Sequence, residues 1–223
     1  LLACSDPGVP PPAVDAGRDA APITWATYRI DVGLHSAMLE GATDAHPLRN
    51  LTMVDGRDYQ FAFDPSAAYV LTDPVDPADQ LDWNKLPGLS DCDTVDLSVD
   101  GAMFGWRWRL DLTPQVLEVT AYANNAGVHL TPPEPLLTLD AAELASDTPL
   151  RYRVWSNGDV YVFTIAGTLG PRAIDVATTL PRRCPTLPAE TWKWASGLYF
   201  GGTSTAPSVI TGRILETAFA VSP

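Results

Sequence analysis

The sequence predicts an all-β protein, an antiparallel β-sandwich of the jelly-roll type with very little helix. Three observations carry this. Apolar and polar residues alternate with a period of two in several separate runs. The 21 prolines fall between those runs and not inside long periodic segments. Helical periodicity is nearly absent, and many short strands with turn punctuation make a sandwich or jelly roll.

The elements follow in chain order. Residues 1–22 stand apart: Ser5-Asp6-Pro7-Gly8-Val9-Pro10-Pro11-Pro12 and the Ala/Asp/Gly/Arg stretch up to Pro22 hold no aromatic residue and no period. Such a segment buries too little surface to offset its ordering entropy, so it reads as an extended Pro-rich tether. One domain is expected over residues 23–223, because composition does not shift again and no repeat is visible. Its first strand lies in "ITWATYRIDVGL", followed by the alternating "DYQFAFD" and the short apolar "AYVLTD". In "FGWRWRLDL", Phe104, Trp106, Trp108 and Leu110 share one face, and Arg107, Arg109 and Asp111 share the other. The first set is expected in the core and the second away from it, so that Arg107→Ala barely affects folding. "VLEVTAYA" alternates and meets the turn pair Asn124-Asn125. "RYRVWSNGDVYVFTIAG" holds Asn157-Gly158 between two alternating runs, the signature of a hairpin with a tight primed turn. "LDAAELASD" supplies about two helical turns after Thr138 or Asp140, and "GLYFGG" and "VITGRILETAFAV" supply the last strands.

Composition narrows the function classes. The chain has 223 residues, 46% of them hydrophobic, which is enough for a sizeable core. A net charge of −13 with no Lys/Arg cluster argues against nucleic acid, whose phosphates would be repelled. No G-x-S-x-G elbow is present, and His35, His46 and His129 lack zinc-ligand spacing. Asp96 and Asp100 in "VDLSVDG" read as two acids on one strand face, the arrangement a glycosidase uses and solvated strand positions also produce. Asp73, Asp76, Asp79 and Asp82 recur every three residues, as weak calcium ligands or as a plain solvated loop; no cofactor is otherwise expected. Of the seven tryptophans, Trp83, beside Asp82 and Asn84, and Trp155, beside the Asn157-Gly158 turn, are the surface candidates for stacking on a sugar. Three cysteines are an odd number for an exported chain. Cys4 takes the separate role, which leaves Cys92 and Cys184 either to form a disulfide or to stand as two buried thiols.

Leu1-Leu2-Ala3-Cys4 resembles the bacterial lipobox. The resemblance implies a lipidated Cys4, with Leu1 to Ala3 the tail of a signal peptide, and membrane attachment in the cell envelope. Ser5 after the cysteine implies the outer membrane. The ordered blocks "QLDWNKLPGLSDCD", "MFGWRWR", "LEVTAYANNAGVH" and "LYFGGTSTAP" resemble a group of bacterial exported β-sandwich domains, and the architecture is similar to the concanavalin-like jelly rolls of carbohydrate-active proteins. The leading expectation is therefore a lipid-anchored envelope protein whose sandwich binds or scaffolds, with polysaccharide as ligand and Trp83, Trp155 and Tyr199 as contacts. A purely structural envelope role is one alternative. A lyase is the other: "WKWASGLYFG" resembles the K-A-G-x-Y strand of jelly-roll alginate lyases, which implies Tyr199 as acid/base with His129 and Arg107 or Arg109 beside it. The Q-x-H and R-x-E-L-R motifs of that family are absent.

Overall fold

The computed structural model describes residues 25–40, 48–51, 56–183 and 193–217. They form two antiparallel sheets packed face to face. The seven-stranded sheet contains β1 (Ala26–Ile30), β2 (Met38–Glu40), β4 (Gly56–Phe63), β11 (Leu150–Asn157), β12 (Val160–Leu169), β13 (Arg172–Pro181) and β15 (Ile210–Thr217), in the order β13-β12-β11-β4-β15-β1-β2. The second sheet contains β3 (Leu48–Leu51), β6 (Leu89–Ser90), β7 (Gly101–Arg109), β8 (Val116–Asn125), β10 (Leu137–Leu139) and β14 (Lys193–Ser196), in the order β10-β8-β7-β6-β14-β3. Two short strands add to it: β5 (Asn84–Lys85) pairs with β7, and β9 (Val128–Leu130) pairs with β8. The expected all-β sandwich is the observed fold.

Period-2 geometry decides which side chains lie between the sheets. Phe104, Trp106 and Trp108 on β7 and Leu117, Val119 and Ala121 on β8 are buried, with Trp106 opposite Val119 and Trp108 opposite Leu117. From the other sheet come Tyr59, Phe61, Phe63, Tyr152, Phe163 and Ile214, all buried. The rings interlock edge-on, Phe104 against Tyr152 at 5.2 Å and Phe163 at 5.4 Å, the geometry aromatic quadrupoles favour. Arg107 and Arg109, one position out of phase, lie on the outer face.

Local signals are legible in detail. The short helix α1 (Ala141–Ala145) starts at Asp140, whose carboxylate accepts from Glu143 N at 2.8 Å while Glu143 accepts from Asp140 N at 3.0 Å. The β11–β12 hairpin forms where expected, but one residue later. Asn157 pairs with Val160, so the loop is Gly158-Asp159, with positive φ (+59°) at Gly158. That is the type II′ pattern, with glycine first, and it leaves Asn157 on the strand. The β8–β9 turn is also displaced, by two residues. Strand β8 runs through Asn124 and Asn125, and the turn falls on Ala126 (φ +53°) and Gly127 (φ +76°).

Two expected strand segments are not strands. "AYVLTD" belongs to a connection built on two 3₁₀ turns, Pro65–Ala67 and Pro77–Leu81. In each an Asp caps the turn and a Pro follows, as Asp64-Pro65 and Asp76-Pro77, which sets helical φ at once and ends strand pairing. Asp96 and Asp100 lie in a turn, not on one strand face. Asp96 accepts from Ser98 N at 2.8 Å, and the buried Asp100 is held by Arg183 at 2.6 Å and by Ala126 N at 2.9 Å. Aspartates that capture backbone N–H groups compete with the ladder. Cys92, in the preceding turn (φ +57°), is disulfide-bonded. Its expected partner Cys184, like Cys4 and the 1–22 tether, lies outside the described residues.

The calcium reading of the aspartate loop is replaced by structure. Asp79 is buried, and its carboxylate accepts from Thr203 N (3.0 Å), Thr203 Oγ1 (2.8 Å), Ser204 N (2.8 Å), Ser204 Oγ (2.5 Å) and Asp76 N (3.2 Å). Burial pushes its pKa up, but these donors outweigh burial and hold it well below the usual carboxylate range. Asp76 is the cap, and Asp73 is exposed. Among the described residues no group of three or more His, Cys, Asp or Glu is placed to hold a metal ion. Asp79→Ala is expected to cost about 2–3 kcal/mol by stranding several of these donors. Denaturant melts read the cost, and amide exchange at Thr203 and Ser204 should rise with it.

Candidate functional site

The outer face of the eight-stranded sheet carries an open groove of about 1060 Å³. It is lined by β5 and the preceding Asp82-Trp83, by β7 and β8, by the 95–98 turn with His129 and Thr131, and by the 196–202 segment with Ser36. The lining residues of the strands are the ones the core excludes. Met103 and Tyr122 pair across β7 and β8, Lys85 pairs with Gly105, and Asn124 lies two positions beyond Tyr122 on the same face.

Tyr199 is placed by extended backbone. It exchanges hydrogen bonds with Lys85 (N to O 2.8 Å and 2.9 Å) and bridges to Ser36 on its other side. Alternation then sends Phe200 into the core at 1% exposure and Tyr199 outward at 40%. His35 stacks on Tyr199 at 5.4 Å between ring centroids and donates from Nδ1 to the Phe200 carbonyl at 2.8 Å. Two glycines let this segment approach the aspartate loop. A Cβ on Gly201 would collide with the Trp83 carbonyl. Gly202 has φ +76°, and a Cβ there would sit 2.8 Å from Asp79 Oδ1 and 2.9 Å from Asp82 Oδ2.

On the opposite side, His129 donates from Nδ1 to Asn124 Oδ1 at 2.5 Å, and Asn124 Nδ2 donates to the Leu97 carbonyl at 2.5 Å. The imidazole lies 5.6 Å from the Tyr122 ring. Between them, Lys85 Nζ donates to the Trp83 carbonyl at 2.6 Å and stands 5.0 Å over the Tyr122 ring. Burial lowers the Lys85 pKa, which the negative charge of Asp82 partly restores. Burial, and then Asp79, raises that of Asp82. Burial, with Asp82 adding to it, pushes the Tyr122 phenol up to about 12. Trp83 lies over Gly105, where an added Cβ would sit 3.3 Å from its ring, and the Arg107 guanidinium stacks 4.0 Å from its centroid.

The structure thus brings Trp83, Tyr199, His129 and Asp82 to one groove and leaves other candidates out. Arg107 and Arg109 do not line it. Both are committed to the buried Glu118, at 2.8 Å and 2.6 Å, and Arg109 also to Asp111 at 2.7 Å. Their charges are neutralised where they stand, so the Tyr–His–Arg set is not assembled around them. Trp155 lies on the outer face of the seven-stranded sheet, beside Arg153 at 5.2 Å, because Tyr152 and Val154 take the core positions of β11. Lys85, Tyr122 and Asn124 are groove residues that sequence reasoning passed over. For Tyr122 the signal was its place out of phase with Val119, Ala121 and Ala123 in "VLEVTAYA".

No known family profile matches the chain, and no curated protein matches it. Solved structures give loose likenesses. An alginate lyase from Klebsiella pneumoniae superposes with a TM-score of 0.42 at 12% identity, covering 73% of this chain and 58% of that one, so the chain spans less than two thirds of that enzyme. The CBM2 module of the evolved Dit of Lactobacillus casei BL23 phage J-1 gives 0.42 at 7% identity, covering 88% and 78%. The alginate lyase vAL-1 from Chlorella virus gives 0.38 at 8% identity, covering 85% and 81%. At these scores the fold stands on the strand order and register described above.

Proposed function

We propose that the groove binds a carbohydrate chain, without catalysis, and that the protein does so on the bacterial envelope. One observation carries the binding reading: Trp83 and Tyr199 line a single open groove together with His129, Lys85 and Ser196, over a floor that includes the buried Tyr122 and Asn124. A sugar ring has an apolar C–H face and a rim of hydroxyls. Aromatic faces take the first, and amide, imidazole and hydroxyl groups take the second. The volume of 1060 Å³ is at the upper end of ligand pockets, about 300–1,000 Å³, and the groove is open, which suits a chain better than one ring. The full chain on a glycan array, followed by calorimetry, tests this. Tyr199→Ala should weaken binding about tenfold, near 1.4 kcal/mol, and Trp155→Ala should leave it unchanged. Binding that survives Tyr199→Ala and fails with Trp155→Ala would move the site to the other sheet.

The envelope address rests on the lipobox resemblance of Leu1 to Cys4 and the Pro-rich composition of residues 5–22. Mass spectrometry of the native protein should find a lipid-modified Cys4, and Cys4→Ala should release the domain from membranes. An unmodified Cys4 contradicts the anchor.

A lyase is the second reading, favoured by Tyr199 and His129 lining the same groove. It predicts that uronate polymers acquire an ultraviolet-absorbing unsaturated end on incubation with the protein. No rise in absorbance rejects it.

A further inference from the structure

Every described arginine side chain has a carboxylate at ion-pair distance: Arg29, Arg57, Arg107, Arg109, Arg151, Arg153, Arg172, Arg182, Arg183 and Arg213. Lys85 has none among the described residues. Its ammonium is part-buried in the groove, with one hydrogen bond, to the Trp83 carbonyl, and with the Tyr122 ring beneath it. An ammonium carries three N–H donors, so two remain. The nearest charge acting on it, Asp82, stands beyond ion-pair distance and offsets its desolvation only in part, so an anion that reaches the free N–H donors is favoured there. In a chain of net charge −13, whose acids pair directly with every described arginine, an ammonium left with two free donors and no direct ion pair, facing an open groove, suits a ligand anion.

We infer that Lys85 anchors a carboxylate of the bound chain, so that the groove selects glycans containing uronic acid over neutral ones. This rests on the reading of the groove as a glycan site and names its substrate class. Trp83 and Tyr199 supply ring contacts beside the ammonium, the buried Tyr122 lies beneath it, and His129 and Ser196 supply hydroxyl partners, with Asn124 orienting His129. Asp82 and Asp96 line the same groove. They repel a chain with sulfates on successive rings and tolerate one whose single carboxylate sits at Lys85, with hydroxyls facing the aspartates. The overall negative charge of the protein does not prevent this, because charges beyond about 8 Å are screened at physiological salt.

The test uses the full chain against three panels: uronic-acid polysaccharides, neutral polysaccharides and sulfated ones. Each uronate ligand that binds is then repeated after chemical reduction of its carboxyl groups to alcohols. The expected result is binding in the uronate panel, at least tenfold weaker after carboxyl reduction and at least tenfold weaker in Lys85→Gln. Lys85→Arg should keep most of the discrimination. Carboxyl reduction needs no variant, so the outcome does not depend on how Lys85→Gln folds. Binding confined to neutral or to sulfated chains, or uronate binding indifferent to carboxyl reduction, overturns the inference and leaves the groove a glycan site. Binding in none of the panels overturns the glycan reading itself.

Discussion

Trp106→Ala is expected to lower the free energy of unfolding by about 3–5 kcal/mol in denaturant melts. Trp106 is fully buried, edge-on to Phe63 at 5.6 Å and to Tyr69 at 5.9 Å, where the two sheets meet. Truncation leaves a cavity that both sheets border, and neighbours this tightly interlocked collapse little. The indole N–H has no hydrogen-bond partner among the described residues, a desolvation cost of about 1–3 kcal/mol already present in the fold. Trp106→Phe sheds that donor with part of the volume, so it should cost well under half as much as alanine. The neighbouring arginine is worth more than strand alternation implied. Arg107 packs on Trp83 and shares the buried Glu118 with Arg109, so Arg107→Ala should cost about 1–2 kcal/mol, still less than Trp106→Ala.

The second large effect is expected at Arg182. Its Nε and Nη2 donate to Asp91 at 2.5 Å and 3.1 Å, and Nη1 donates to the Gly158 carbonyl at 3.1 Å, tying the β11–β12 turn to the Asp91 segment. Both side chains of the pair are buried, at 1% and 0% exposure. Arg182→Met removes the only guanidinium hydrogen-bonded to Asp91 among the described residues and leaves the buried carboxylate the weaker influence of Lys193, so about 3–5 kcal/mol should be lost at neutral pH. Asp91→Asn combined with Arg182→Met should recover much of it. The pH dependence has a definite sign. Burial pushes the Asp91 pKa up, but Arg182, with Lys193, holds it below its ordinary value. A depressed carboxylate contributes stability that is present above its unfolded value of about 3.9 and is lost as pH falls through the folded value. In Arg182→Met the carboxyl protonates more readily, so the gap between variant and wild type should narrow in melts below about pH 4.

What was legible in the sequence was local. Alternation alone put Trp106 and Trp108 inside and Arg107 and Arg109 outside, and the helix expected after Thr138 or Asp140 starts at Asp140. Turn signals were right to within one or two residues. They erred where a strand continued through asparagine, because pairing partners, and not turn propensity, set where a ladder ends. The groove was less legible, since its members meet through long-range pairing. Tyr199 is beside Lys85 because residue 199 bridges residues 36 and 85, a juxtaposition that no period in the chain encodes. Asp79 read as a solvated acid because its donors, Thr203 and Ser204, are distant in sequence. Arg107 and Arg109 read as available charges because Glu118, on the next strand, is invisible to a reading of β7 alone.

The groove as a sugar-chain site is tested most directly by comparing wild type with a Tyr122→Ala/Tyr199→Ala double variant of the full chain on the same glycan array. Both aromatics line the groove, and Tyr199 is exposed. Loss of array binding by the double variant, with its thermal melt still cooperative and Trp155→Ala binding as wild type does, is the predicted result. Glycan binding undiminished in the double variant would contradict the account and place recognition elsewhere on the sandwich.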